Sequence, residues 1–232
     1  MAKPVKTLLL TGDNHPAHKW KETTPALIEA MHNRGPEFAV TVTEDIETLA
    51  QDLSQYRLLV LNYCNWTRPG LSPQAKTNLT KFVREGGGLA VIHFANGAFH
   101  FSLPNAPESD WPEYRNLVAR VWDHSMGKSG HDTYGSFRVT MPAGKHPITE
   151  GMQPYEAIDE LYYRQQGERE AQVLATAKSN VTHSDEPMAL LSSNGRVFQT
   201  CCILRTIGVH GTMQRFAGPA CRKRPINLVT IH

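Results

Sequence analysis

The chain has 232 residues, 40% of them hydrophobic and 20% charged, with a formal net charge of +2. That length suits one large domain or two small ones with a sizeable core, and the balance is ordinary for a soluble globular protein. No apolar run approaches the roughly 18 residues of a membrane helix, and the VKTLLLT run near the start is too short for a signal peptide.

In chain order, Val5–Thr11 is a short apolar run closed by Gly12, the pattern of a buried strand. Thr23–Arg34 carries Ala26, Leu27, Ala30 and Met31 at helical spacing and is stopped by Gly35 and Pro36. Phe38–Val42 alternates as a strand, Ile46–Leu53 reads as a short amphipathic helix, and Leu58–Leu61 is again a buried run. Ser72 can cap a helix running to about Arg84 and ended by Gly86, Gly87 and Gly88, after which Leu89–Ile92 is a fourth strand. A β-α-β-α-β-α-β order with nearly continuous hydrophobic strands predicts a parallel sheet covered by helices on both faces. Further on, the pattern predicts a helix over Glu113–Val121 and strands over Gly135–Met141 and Val173–Ala177. The long polar stretch before residue 135 reads as a loop that forms a site.

Ligands of such sheets sit outside the carboxyl ends of the strands, and three of those ends are rich in polar and aromatic residues. GDNHPAHKW follows the first strand with His15, His18 and Trp20; NYCNW ends the third with Asn62, Cys64, Asn65 and Trp66; His93 ends the fourth. His93 is a candidate metal ligand, general base or binding donor, because imidazole titrates near neutrality. The spacing of His15 and His18 is compatible with metal binding but is weak evidence outside a helix, and Trp20 offers an apolar face to a ring-bearing ligand. His131 and Asp132 are adjacent, so in a strand their side chains point apart and each acts separately. His124 lies seven residues earlier. Glu160, in Asp159-Glu160-Leu161-Tyr162-Tyr163 after His146-Pro147, is a candidate catalytic group or second metal ligand. The dinucleotide fingerprint, the phosphate loop and the GxSxG elbow are missing. Cys64 reads as a packing thiol.

The four cysteines, Cys64, Cys201, Cys202 and Cys221, form no CxxC pair and no disulfide framework, which predicts reduced thiols and a cytoplasmic setting. From Asn194 onward there are six basic residues and no acid, leaving 18 basic and 22 acidic residues in the first 193, a balance of −4. This basic end lacks the interleaved aromatics of a single-strand platform, so nucleic acid is not the expected partner.

The segments TGDNHPAHKW, EGGGLAVIHFANGAF, WPEY, GHDTYG, HPIT, DELYY and DEPMA together resemble the trehalose-utilisation (ThuA-like) family, over about residues 5–200. The resemblance implies a flavodoxin-like, doubly wound, mostly parallel α/β sheet of the class I glutamine amidotransferase-like superfamily. It implies one domain over 1–200, with 201–232 a divergent end to it. In that family the stretch after GRVFQT runs to a Gly-His and a closing helix; here the position of that histidine holds Leu204. This departure reads as a reading-frame change or a divergent tail, and His210 is not assigned the missing role.

The resemblance also implies a role in carbohydrate catabolism. His93 takes the place of the amidotransferase cysteine, so glutaminase activity is not expected. One reading is an enzyme isomerising or eliminating a keto-sugar. Its catalytic groups would be His93, Glu160, His131 and Asp132, and the sugar would bind against His15, His18, Trp20, Asn65, Trp66 and Trp111. A divalent metal such as zinc, held by His93 and Glu160, would polarise the carbonyl. The other reading is a sugar-binding or regulatory module without catalysis. Either allows a homo-oligomer, and neither needs a membrane.

Overall fold

The computed structural model describes residues 3–13, 15, 18–32, 38–65, 69–99, 111–123, 129–142, 146–192 and 196–201. Trp66, His124 and everything after Cys201, including the expected divergent end, lie outside them.

The first half folds as its hydrophobic pattern predicts. Strands β1 (Val5–Gly12), β2 (Phe38–Thr43), β3 (Leu58–Tyr63) and β4 (Gly88–Ile92) alternate with helices α1 (Trp20–His32) and α2 (Pro73–Arg84). Every residue of β3 is buried, as are all but one of β1, so these strands are covered on both faces. Ser72 caps α2 by accepting from Ala75 N at 3.3 Å. The helix ends where Gly86 takes φ +101°, a left-handed conformation that glycine adopts without steric cost. The expected Ile46–Leu53 helix shortens to one 3₁₀ turn, Ile46–Ala50, capped by Asp45, whose carboxylate accepts from Glu47 N at 2.9 Å.

A second 3₁₀ turn, His93–Gly97, follows β4 directly. Helix α3 (Pro112–Leu117) is shorter than the expected 113–121 helix. It stops because Val121 pairs instead with Gln166, exchanging backbone hydrogen bonds of 2.8 and 2.9 Å. The remaining strands are β5 (Gly130–His131), β6 (Gly135–Thr140), β7 (Tyr155–Asp159), β8 (Tyr162–Tyr163), β9 (Ala171–Lys178), β10 (Asp185–Ser192) and β11 (Val197–Thr200).

The main sheet has nine strands in the order β2-β1-β3-β4-β11-β10-β9-β6-β7. The first five run parallel, in the flavodoxin-like order that creates a switch point beside β1 and β3. The last four are an antiparallel extension, so the fold is the expected α/β class; β6 and β9 match the expected strands over 135–141 and 173–177, and β7 and β10 were not expected. Among the described residues, β6 joins β9 through two register pairs, Val139 with Ala177 and Thr140 with Thr176. With so short a ladder the β6–β7 ribbon can leave the sheet plane, and its far end, Asp159, lies against His93 at the parallel edge. A small sheet pairs β5 with β8, setting His131 opposite Tyr162.

Gly130 is required in that small sheet by close approach: a β-carbon there would sit 2.5 Å from the Tyr163 hydroxyl. Gly130→Ala should therefore cost about 1–3 kcal/mol through overpacking. In urea unfolding, the cost should shrink markedly in a Tyr163→Ala background; an equal cost in both backgrounds would contradict this reading of the contact.

Candidate functional site

The site is built around a strained turn. His93 leaves β4 at φ +48°, a left-handed conformation that a non-glycine residue adopts at a cost of about 1–3 kcal/mol. Neighbours hold the turn in place. Thr200 Oγ1 on β11 accepts from His93 N at 3.4 Å, and Tyr114 Oη donates to Ala95 O at 2.7 Å. Asn65 Oδ1, at the end of β3, accepts from Phe99 N at 2.7 Å. The His93 ring thus projects where the β1 loop, the end of β7 and β8 converge.

Nδ1 of His93 lies 3.4 Å from His18 Nε2 and 3.4 Å from the Tyr162 hydroxyl. Burial raises the Tyr162 phenol well above its ordinary value, with the Glu160 and Asp159 carboxylates adding to the shift, so it stays protonated. Taking the phenol as the donor in this contact, Nδ1 accepts and the ring proton sits on Nε2. That atom is buried with no hydrogen-bond partner among the described residues; the nearest carboxylate oxygen, Asp159 Oδ1, is 3.8 Å away. Burial lowers His93 from 6.5 to about 3, with His131 contributing, and lowers His18 to about 2, helped by His93 and His15. Both rings are therefore neutral at physiological pH.

Aromatic rings surround the imidazoles. Tyr162 lies 4.4 Å from His93 between ring centres, Phe94 packs 4.4 Å from His15 and 4.9 Å from His18, and Trp122 sits edge-on to Tyr162 at 4.6 Å. His131, partly exposed, faces Trp122 and Tyr162. Its Nδ1 donates to the Asp132 carbonyl at 2.8 Å and lies 3.8 Å from Glu160 Oε1.

The structure thus brings His15, His18, His93, His131 and Glu160 into one neighbourhood, but several expected roles change. Glu160 stands against His131, and the carboxylate that reaches His93 is Asp159. Asp132 is a structural group: buried, it accepts from Ser179 Oγ and Asn180 N, both at 2.6 Å, which leaves it no freedom for catalysis. As expected of neighbours in a strand, His131 and Asp132 form no side-chain pair. Trp111 is 4% exposed and packs on Phe99 and Tyr114, so it belongs to the core and offers no face to a sugar. Asn65 is wholly buried and holds the loop after the turn instead of contacting a ligand. Trp20 opens α1 beneath the Lys21 ammonium. No group of three or more His, Cys, Asp or Glu side chains among the described residues is arranged to hold a metal ion, and Glu160 of the expected His93–Glu160 pair lies beside His131. Asp159, Tyr162, Phe94 and Trp122 were missed by sequence reasoning. The signal for the first two was present, since both lie in DELYY; Trp122 had no mark distinguishing it from the other tryptophans.

Together the fold and site define a flavodoxin-like α/β protein with an imidazole on the turn after β4. The ThuA family model, described as trehalose utilisation, matches residues 6–202, and the chain belongs to that family. Among solved structures it is similar to a ThuA-like protein from Parabacteroides merdae, with TM-score 0.74 and 23% identity over 98% of this chain and 93% of that one. It is also similar to a ThuA-like protein from Bacteroides uniformis, with TM-score 0.69 and 15% identity over 93% of each chain. A β-galactosidase from the Antarctic haloarchaeon Halorubrum lacusprofundi shares the fold across 30% of its own length and 92% of this chain, with TM-score 0.55 and 12% identity. No curated protein matches the chain in sequence. No helix among the described residues is long and apolar enough to cross a membrane.

The buried His93 ring and the half-buried His18 ring give stability a pH dependence of definite sign. Unfolded histidines take up protons near 6.5, whereas His93 and His18 resist them down to about 3 and about 2. Their contribution is complete above 6.5 and is lost progressively as pH falls from there toward the folded-state values. The unfolding temperature should therefore drop between about pH 7.5 and pH 5, and His93→Asn, which tolerates the left-handed backbone, should shrink that drop. An identical drop in the variant would show that His93 is not the group responsible.

Proposed function

We propose that the chain acts on an oxidised (keto) sugar, moving a proton at the carbon next to the carbonyl. The observation that carries this reading is the pairing of a neutral imidazole with a carboxylate: His93 Nε2, which has no hydrogen-bond partner among the described residues, stands 3.8 Å from Asp159 Oδ1, which itself accepts from Glu160 N at 2.8 Å. The family description as trehalose utilisation supports a carbohydrate as the substrate.

In this mechanism Nε2–H donates to the substrate carbonyl oxygen, and the Asp159 carboxylate takes the proton from the adjacent carbon. The electrons of the broken C–H bond form the enediolate double bond, and the negative charge gathers on the oxygen held by His93. Delivery of the proton to the former carbonyl carbon, with the proton of the adjacent hydroxyl passing to the oxygen held by His93, moves the carbonyl to the neighbouring carbon and completes an isomerisation; loss of a leaving group from the next carbon, with the enediolate electrons forming the new double bond, completes an elimination. A neutral imidazole is a suitable electrophile here because it donates without being consumed as an acid, a pattern known in other isomerases. Tyr162 is a positioning residue, fixing the tautomer through Nδ1. His131 and Glu160 stand beside the site and are available to relay the proton. The same imidazole rules out the thioester route of glutamine hydrolysis, which needs a thiolate at this turn.

Deuterium incorporation from heavy water into methyl 3-keto-α-D-glucopyranoside, followed by proton NMR, tests the reading. Label should enter next to the carbonyl, and Asp159→Asn should slow its entry by about a hundredfold or more. A sugar that shifts the melting temperature yet gains no label would favour the binding-module reading. Equal rates in wild type and variant would overturn the assignment of Asp159.

A further inference from the structure

A second concave surface shares no residue with the His93 cluster. It is an open cavity of about 600 Å³ between the segment after α3, the start of β9 and the end of β10, a volume suited to a small ligand. Arg120, Arg169 and His146 line it with donors, and Glu168 and Glu170 with carboxylates. Each arginine is anchored through a single nitrogen. Arg120 Nη1 donates to Ala119 O at 2.6 Å and to Arg169 O at 2.9 Å. Arg169 Nη1 donates to Asn116 O and, at 2.9 Å, to Leu117 O. An Nη1 group carries two N–H bonds, so these contacts use it fully. They leave the Nε–Nη2 edge of each guanidinium, the planar fork that matches an oxyanion. Neither guanidinium forms an ion pair among the described residues, with Glu168 and Glu170 or any other carboxylate. Burial lowers Arg169 from its ordinary value, as expected of a cation that has lost water without gaining a counter-charge. His146 is lowered by burial too, and its Nδ1 accepts from Ile148 N at 3.1 Å, so the neutral ring carries its proton on Nε2.

Two anchored, half-buried cations without a counter-ion suit an anion. A tetrahedral phosphate accepts from two forks at once, whereas one fork already satisfies a carboxylate. The cavity is far larger than a phosphate alone, and its two carboxylates would repel a bare anion. The rest of the ligand therefore has to bring hydroxyl donors to Glu168 and Glu170. We infer that this cavity binds a phosphate monoester of a polyhydroxylated body, the hexose phosphates being the class that fits, with the phosphate on Arg120 and Arg169 and the hydroxyls on the two glutamates. The inference does not rest on the proposed function, since the cavity holds none of the proton-transfer residues. Its link to them runs through the backbone: Val121, next to Arg120, pairs with Gln166 and precedes Trp122, which packs on Tyr162.

Titration calorimetry of the full chain with glucose 6-phosphate, glucose and inorganic phosphate tests the inference. Glucose 6-phosphate should bind, and glucose and inorganic phosphate should each bind roughly tenfold more weakly or worse. Arg120→Lys and Arg169→Lys keep the positive charge and a donor for the backbone carbonyls but lose the fork. Each should weaken glucose 6-phosphate by about tenfold or more. Glu168→Ala combined with Glu170→Ala alters exposed side chains alone, and so carries the test should the arginine variants not fold. It should weaken glucose 6-phosphate while leaving inorganic phosphate bound at least as tightly as in wild type. His93→Asn should leave the affinity for glucose 6-phosphate unchanged, which separates this cavity from the His93 site. The inference is overturned if wild type does not bind glucose 6-phosphate or binds inorganic phosphate equally well. It is overturned as well if the arginine or glutamate variants bind the sugar phosphate as wild type does, or if His93→Asn abolishes binding. The proposed function stands or falls separately, on the labelling of the keto-sugar.

Discussion

The site depends on one backbone constraint, the left-handed conformation of His93 at the end of β4. A residue in the ordinary extended region would continue the strand and send its side chain into the sheet. The reversal instead lifts the imidazole to the carboxyl edge and starts the 3₁₀ turn His93–Gly97. The strain is offset by groups from three other parts of the chain: Thr200 from β11, Tyr114 from α3 and Asn65 from the end of β3. Those residues contact no reacting atom in the proposed mechanism, yet the position of the reacting groups is set by them.

The electrostatic character of the site follows from the same placement. Three imidazoles crowd together, His93 buried against Tyr162 and His18 half-buried against Phe94. Each added positive charge would be repelled by the next and stripped of water, so burial and mutual repulsion both favour the neutral rings. With Tyr162 taken as the donor to Nδ1, the ring proton sits on Nε2. A protein that needs a hydrogen-bond donor able to polarise a carbonyl at neutral pH is served by this arrangement better than by an exposed histidine, which would be partly charged.

The parallel half of the fold was legible in the sequence because its strands are buried on both faces and read as short apolar runs between glycines. His93 stood out because a polar residue ended such a run. The antiparallel half was only partly legible: β6 and β9 read as strands, but their pairing joins segments far apart in the chain, and no local period encodes it. Asp159 was passed over for Glu160 because the two are adjacent and only the path of the β6–β7 ribbon decides which one turns toward His93. Trp111 and Trp122 show the same limit. Both are tryptophans in one aromatic-rich segment, and packing against Phe99 and Tyr114 claims the first, while the second lines the site.

The account's central claim is that His93 is a neutral imidazole carrying its proton on Nε2. Nitrogen-15 NMR of histidine-labelled protein, with the signal assigned through His93→Asn, reads both properties directly. The account predicts a single neutral tautomer protonated at Nε2, unchanged as pH is lowered from about 8 to about 5. An imidazolium forming near the ordinary value of 6.5, or a proton residing on Nδ1, would contradict it.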